Sequence, residues 1–186
     1  MMIIGKRKRL SARRAIKRLH GDTRANATVE FAFVGMTLIL MVMNAVDFGY
    51  YFYTRMQVEN AAMMGSQAAL NACTDQQLPA TSNCAGVSTA ISNGIQTTSL
   101  GTAVTLVSGS PSEGYYCING SGSLQSVGTL SSKPANCSAA GESALQPGDY
   151  LLVSVSYNYS SLFPGLSAVG VLGINSITAT SWVRMG

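Results

Sequence analysis

Hydrophobic positions are distributed very unevenly along this chain. From Phe31 to Val46 sixteen residues pass without a charge, bracketed by Glu30 and Asp47. A span needs about 20 residues at ~1.5 Å of rise each, and residues 31–50 supply them. Phe48, Tyr50, Tyr51, Phe52 and Tyr53 follow at once, amphipathic rings of the kind that anchor at headgroup level. Residues 54–70 contain no proline and continue the helical pattern, with Ala61, Ala62, Gly65, Ser66, Ala68 and Ala69 small enough to admit a close neighbour. A helix from about Asn26 to Leu70 is roughly 68 Å long, twice a bilayer core, so its outer half must pack on something.

Beyond Leu70 the pattern changes to Ser, Thr, Gly and Asn, predicting loops and short strands. Three strands are expected. Thr102–Ser108 is β-branched and short. Tyr150–Tyr159 alternates, with Val153, Val155, Tyr157 and Tyr159 on one face and Leu152, Ser154, Ser156 and Asn158 on the other. Ile177–Arg184 alternates in the same way. Gln146-Pro147-Gly148-Asp149 reads as a turn before the second strand. The apolar stretch Leu162–Ile174 is broken by Pro164, Gly165, Gly170 and Gly173, too interrupted to span; a buried connection under the sheet is preferred to an exposed partner-binding patch. The predicted fold class is α+β, a long N-terminal helix with a small antiparallel sheet of three or four strands on its outer half.

Charge then divides the chain. Only 11% of residues are charged, far below the roughly 25% of a soluble domain, which argues against an ordinary cytosolic enzyme. Nine of the twelve Lys and Arg fall in residues 1–25, opposed there by Asp22 alone. Arg55, Lys133 and Arg184 face seven carboxylates in the rest, leaving it at −4. A basic block directly before a span predicts a cytoplasmic N-terminus and an extracytoplasmic C-terminal part, and outweighs a nucleic-acid tail. Cys73, Cys84, Cys117 and Cys137 all lie beyond the span, so two disulfides are expected in an oxidising compartment. Pairing Cys73 with Cys84 and Cys117 with Cys137 closes the shortest loops. Spacings without a close pair, and a single histidine, His20, in the basic block, argue against a metal site.

Glu30 is the most informative position, because a carboxylate at the edge of a span is costly unless paired and is therefore a functional candidate. An interfacial location near Arg24 is the simpler alternative. The segment Ala25-Asn26-Ala27-Thr28-Val29-Glu30-Phe31-Ala32 resembles a type IV prepilin-like processing site, with Glu30 as the fifth residue after a cut between Ala25 and Asn26. Together with Asp47-Phe48-Gly49, with Asn60-Ala61-Ala62 and with Gly65 and Ala68, residues 24–69 resemble the TadE-like family, pilin-like proteins of the tight-adherence (Tad, Flp) pilus. The C-terminal run Thr178–Arg184 and the Pro164-Gly165 loop are weakly similar to TadE and TadG relatives, and residues 71–149 carry no resemblance. The family commonly has glycine before the cut; this chain has Ala25, small enough for a pocket that admits glycine.

The resemblance implies a leader, 1–25, removed by a prepilin peptidase; a pilin-like transmembrane helix, 26–53; its extracytoplasmic continuation, 54–70; and a β-rich domain, 71–186. It implies an inner-membrane minor pilin acting in pilus assembly, adherence and biofilm formation. Its partners would be the peptidase, other pilin-like subunits and the pilus assembly machinery, with no nucleic acid, small-molecule substrate or cofactor. In such proteins the new ammonium of Asn26 pairs with Glu30 of a neighbour once both leave water. Phe31, Asp47, Phe48, Gly49, Asn60, Ala61, Ala62 and Gly65 are the family-like helix positions, although Asp47 reads equally well as an interfacial charge snorkelling beside Tyr50 and Tyr51. Two alternatives stand: an uncleaved, membrane-anchored TadG-like assembly factor, and a secreted disulfide-containing surface domain. No enzyme is expected, since the part beyond the span has no histidine, phosphate loop or sequence-close acid pair.

Overall fold

The computed structural model describes residues 23–186, with side chains from Ala27 onward. The expected leader, as far as residue 22, and the side chains of Ala25 and Asn26 at the expected cut lie outside the described residues. Helix α1 runs unbroken over Thr23–Ala72, 50 residues or about 75 Å. It begins before the Ala25–Asn26 bond and ends two residues beyond the expected boundary. Its buried positions, Asp47, Thr54, Val58, Ala61, Ala62, Gly65, Ser66 and Ala69, recur at three- and four-residue steps and trace one face. From Ala27 to Val42 almost every side chain is exposed.

After α1 come α2 (Ala80–Asn83), α3 (Val87–Ile95), β1 (Val104–Leu106), β2 (Ser112–Ile118), β3 (Leu124–Ser126), β4 (Gly148–Asn158), α4 (Ala168–Val171) and β5 (Ser176–Arg184), with 3-10 turns at Asp75–Gln77, Gly101–Ala103 and Ser138–Ala140. The sheet is antiparallel and has five strands, not three or four. Central strand β4 pairs along one edge with β5, from Tyr150↔Arg184 to Asn158↔Ser176. Its other edge is shared: β2 takes the first half (Gly114↔Tyr150) and β1 the second (Thr105↔Ser156), while β3 pairs with β2. The alternation expected in β4 is present, with Leu151, Val153, Val155 and Tyr159 buried. Strand β1 is shorter than expected because Gly101–Ala103 turns as a 3-10 helix, and Gly148 and Asp149 belong to β4 rather than to a turn before it.

Three features depart from the sequence reading. The segment expected to hold loops and short strands contains α3, whose Val87, Ile91 and Ile95 lie one turn apart and are all buried. Helix α3 is the element that the small residues of α1 admit. A Cβ on Gly94 would sit 2.7 Å from the Cβ of Ala68 and 2.8 Å from the Met64 carbonyl oxygen; one on Gly65 would sit 2.6 Å from Cγ2 of Ile95. Strands β2 and β3 escaped notice because β2, Ser-Glu-Gly-Tyr-Tyr-Cys-Ile, turns only Tyr115 and Cys117 inward, toward a second small core with Val127, Cys137 and Ala140. Finally, the stretch 162–174 is not a buried connection under the sheet. It descends along α1 with most of its apolar side chains exposed.

Both disulfides form between sequence neighbours, Cys73–Cys84 and Cys117–Cys137, closing loops of 11 and 20 residues. Loops of this size contribute on the order of 3 kcal/mol each by restricting the unfolded chain. The Cys73–Cys84 loop is also fastened to the sheet: Glu113 of β2 accepts the backbone N–H groups of Ala80 (2.6 Å) and Thr81 (2.7 Å) and the Thr81 hydroxyl.

At Gly94 the Met64 backbone carbonyl, rather than only a flexible side-chain end, stands in the way. Gly94→Ala is expected to cost about 2 kcal/mol, lowering Tm by roughly 4–8 °C in detergent-solubilised protein. Gly49→Ala, which meets open space on the same kind of helix, should leave Tm unchanged or raise it.

Candidate functional site: the junction of the apolar helix and the outer domain

Helix α1 is long and apolar enough to cross a membrane, and among the described residues nothing covers its most apolar part. In the uncharged stretch 31–46 and at its end the polar side chains are Thr37, Asn44 and Asp47. Thr37 returns its hydroxyl to the Phe33 carbonyl of its own helix (3.0 Å), which costs nothing in an apolar medium. Asn44 and Asp47, one turn apart, both point toward the β4–β5 connection. Asp47 is fully buried. Its Oδ1 accepts the Leu162 N–H at 2.8 Å and its Oδ2 accepts a short hydrogen bond from the Ser167 hydroxyl. Asn44 uses Nδ2 to donate to the Leu40 carbonyl (2.8 Å) and Oδ1 to accept the Ala168 N–H (2.8 Å). Ser167 is in turn the N-cap of α4, accepting the Gly170 N–H at 3.1 Å.

This arrangement corrects the snorkelling reading of Asp47. The carboxylate turns inward and binds the domain to the helix, while above it Tyr50 and Tyr51 pack on Tyr159 with ring centroids 5.7 and 5.5 Å apart. Phe52 and Tyr53 remain exposed, in positions open to an interface. The signal for the latch was present in the sequence: Asn44 and Asp47 fall one turn apart in an otherwise apolar run, so they share a face. Its partner, Ser167, carried no such signal.

The remaining family-like positions separate into two sets. Ala61, Ala62 and Gly65 are buried in the seam with α3 and β4. Phe31, Phe48, Gly49 and Asn60 are exposed, Asn60 lining a shallow groove with Gln57, Met64, Gln67 and Thr97. Glu30 lies exposed near the beginning of α1, about 17 residues or ~25 Å from Asp47 along the axis. The structure therefore does not bring Glu30 and Asp47 together. Among the described residues no three of His, Cys, Asp and Glu gather as a metal site would require.

A second carboxylate is buried at the end of β4 opposite Tyr159. Asp149, at the beginning of β4, is fully buried, and neither of its oxygens has a hydrogen-bond partner among the described residues. Burial, reinforced by the nearby Glu113 carboxylate, pushes Asp149 up to about 7. Lys133, 5.4 Å above the Tyr115 ring, opposes the shift. The register Glu113↔Leu151 and Tyr115↔Asp149 makes Glu113 and Asp149 diagonal neighbours on adjacent strands.

Two outcomes follow from these carboxylates. Asp47→Ala removes the partners of Leu162 and Ser167, so amide exchange at Leu162 and through α4 should accelerate roughly 30- to 150-fold, equivalent to about 2–3 kcal/mol, while exchange in β4 is unchanged. For Asp149 the folded state holds a proton that the unfolded chain, near 3.8, has released. Stability is therefore expected to fall as pH rises from about 4 to about 7 and to level off above. Asp149→Asn should flatten that slope and be the more stable form at pH of about 8 in denaturant titrations.

Comparison with known proteins gives one result that bears on this junction. The family model described as TadE-like protein matches residues 26–67, the part of α1 that contains Glu30, the uncovered apolar arm, the Asn44 and Asp47 latch and the small-residue seam. No curated protein and no solved structure matches the chain. The β-rich domain beyond Ala72 lies outside the matched segment; over residues 26–67 the chain is similar to TadE-like proteins.

Proposed function

We propose that this protein is a minor pilin-like subunit of a Tad pilus, held in the inner membrane by α1 with its β-rich domain outside, and released for assembly by cleavage between Ala25 and Asn26. The observation that carries the reading is the division of α1: one half gripped by a disulfide-closed domain, the other apolar, bare and preceded by nine cations. A bare apolar rod requires either lipid or other rods around it, which is what a subunit moving from membrane to fibre needs at each stage. The role is structural rather than catalytic. Its partners in this reading are the prepilin peptidase, neighbouring pilin-like subunits and the assembly machinery, in the service of adherence and biofilm formation.

Charge supplies a plausible switch. With residues 1–25 attached, nine cationic side chains favour the anionic cytoplasmic surface and resist extraction. Without them the chain is −4 and begins with an ammonium at Asn26, one turn from Glu30. In low dielectric an unpaired Glu30 is costly, so pairing it with the ammonium of an adjacent subunit favours assembly over isolated subunits. The second reading, an uncleaved TadG-like assembly factor, is favoured by one observation: Ala25 stands where glycine commonly precedes the cut.

Intact mass and N-terminal sequencing from membranes of the native host, with and without its prepilin peptidase, separate the two. A chain beginning at Asn26 only when the peptidase is present is the expected result; Met1 in both backgrounds would favour the uncleaved factor. Glu30→Ala is expected to insert normally and to abolish piliation. Wild-type piliation in that strain would remove Glu30 from assembly, and Glu30→Leu should insert at least as well as the parent.

A further inference from the structure

The connection between β4 and β5 is unlike an ordinary surface loop. From Ser160 to Asn175 it carries no charge, yet Leu162 is 48% exposed, Leu166 58%, and Val171 and Leu172 71% each. These side chains belong to the part of the domain tied to α1 by Asn44 and Asp47. Asn44 lies about 9 Å down the axis from Tyr50, the residue that ends a 20-residue span counted from Phe31. Exposed Leu40 and Met36, one and two turns below Asn44 on the same face of α1, continue the apolar surface.

Backbone satisfaction points the same way. Exposed loops in water leave amides to solvent, whereas a segment in hydrocarbon must satisfy its N–H groups internally. Here the Leu162 N–H goes to Asp47 and the Ala168 N–H to Asn44; those of Leu166 and Ser167 go to the Phe163 carbonyl. The N–H of Gly170 goes to the Ser167 hydroxyl, and those of Val171, Leu172 and Gly173 to carbonyls within α4 and its cap. The only polar groups at this depth on α1 besides Thr37 are thus consumed by the loop rather than left facing lipid.

We propose that the segment Leu162–Leu172 is a second membrane contact, seated in the outer leaflet with Leu162, Leu166, Val171 and Leu172 among the acyl chains. The occupant is the lipid hydrocarbon because the surface is continuous with the bare face of the spanning helix, lacks any charge that a protein partner could read, and has seven of its ten backbone N–H groups satisfied from within. The domain then rests on the bilayer through its base, and α1 is fixed in depth and tilt by two contacts rather than one. This rests on α1 being a membrane span.

The test uses full-length protein reconstituted in phosphatidylethanolamine and phosphatidylglycerol vesicles with brominated acyl chains. With Trp182→Phe as background, a single reporter is placed by Leu172→Trp, Val171→Trp, Val42→Trp on the span or Leu124→Trp on β3, where the parent side chain is also exposed. Emission of Leu172→Trp and Val171→Trp should be blue-shifted and lose a share of intensity comparable to Val42→Trp, while Leu124→Trp loses none. Quenching at Val42→Trp with none at either loop position overturns the proposal and leaves the span intact; the loop then faces water or a neighbouring subunit. Absence of quenching at all three overturns both the span and the loop contact.

Discussion

Helix α1 is one continuous rod, bare and apolar along one half and covered along the other, and most of the fold answers that division. Below Met43 the rod carries mostly apolar side chains on all sides, and among the described residues nothing packs on it. Above Asp47 only one face is buried, and that face is built from Val, Ala, Gly and Ser so that α3 and the sheet can approach closely. The change from one regime to the other is made within a single turn by Asn44 and Asp47. A carboxylate there would be expensive if it faced lipid or stood alone; accepting two hydrogen bonds from the domain it joins Asn44 as the lower anchor of the fold.

The domain is stabilised along the length of this seam rather than by a large separate core. Ile91 and Ile95 of α3, Leu151, Val153 and Val155 of β4, and Val58 of α1 form one continuous cluster. Polar atoms within it are matched, Ser66 meeting Ser181 at 2.9 Å and Thr54 returning to the Tyr50 carbonyl. The Tyr159 hydroxyl is the exception within the cluster, and outside it Asp149 is buried with no hydrogen-bond partner among the described residues, its proton retained by burial and by the nearby Glu113 carboxylate. The two disulfides and the Glu113 clamp act at the periphery, where loops rich in Ser and Gly bury too little to hold themselves.

What was legible in the sequence follows the strength of each local signal. The long helix, the alternating strands β4 and β5 and the sequence-local disulfides were read from periodicity, β-branching and loop length. Helix α3 was missed although Val87, Ile91 and Ile95 recur every four residues, because the intervening Ser, Thr, Asn and Gly are weak helix formers and tertiary packing on α1 decides the outcome. Strand β2 was missed because its buried side is only Tyr115 and Cys117, and β3 because it is three exposed residues. The apolar connection was expected under the sheet, in preference to an exposed partner-binding patch, and the structure instead puts it beside the bare helix. Asp47 was recognised as unusual, but its partners lie more than a hundred residues away and left no trace in local pattern.

The covered face of α1, from Asp47 to Ala69, has a mechanical consequence. Its 22-residue extent corresponds to about 33 Å of grip along the rod. A pull directed along the axis loads the Asp47 latch, the Gly65–Gly94 crossing and the β4 and β5 contacts together, in shear. A sideways tug engages them one after another, as in peeling. The same interface is therefore strong against axial tension, the direction in which a subunit is drawn out of a bilayer or stretched within a fibre, and weak against lateral displacement of the domain from its stem.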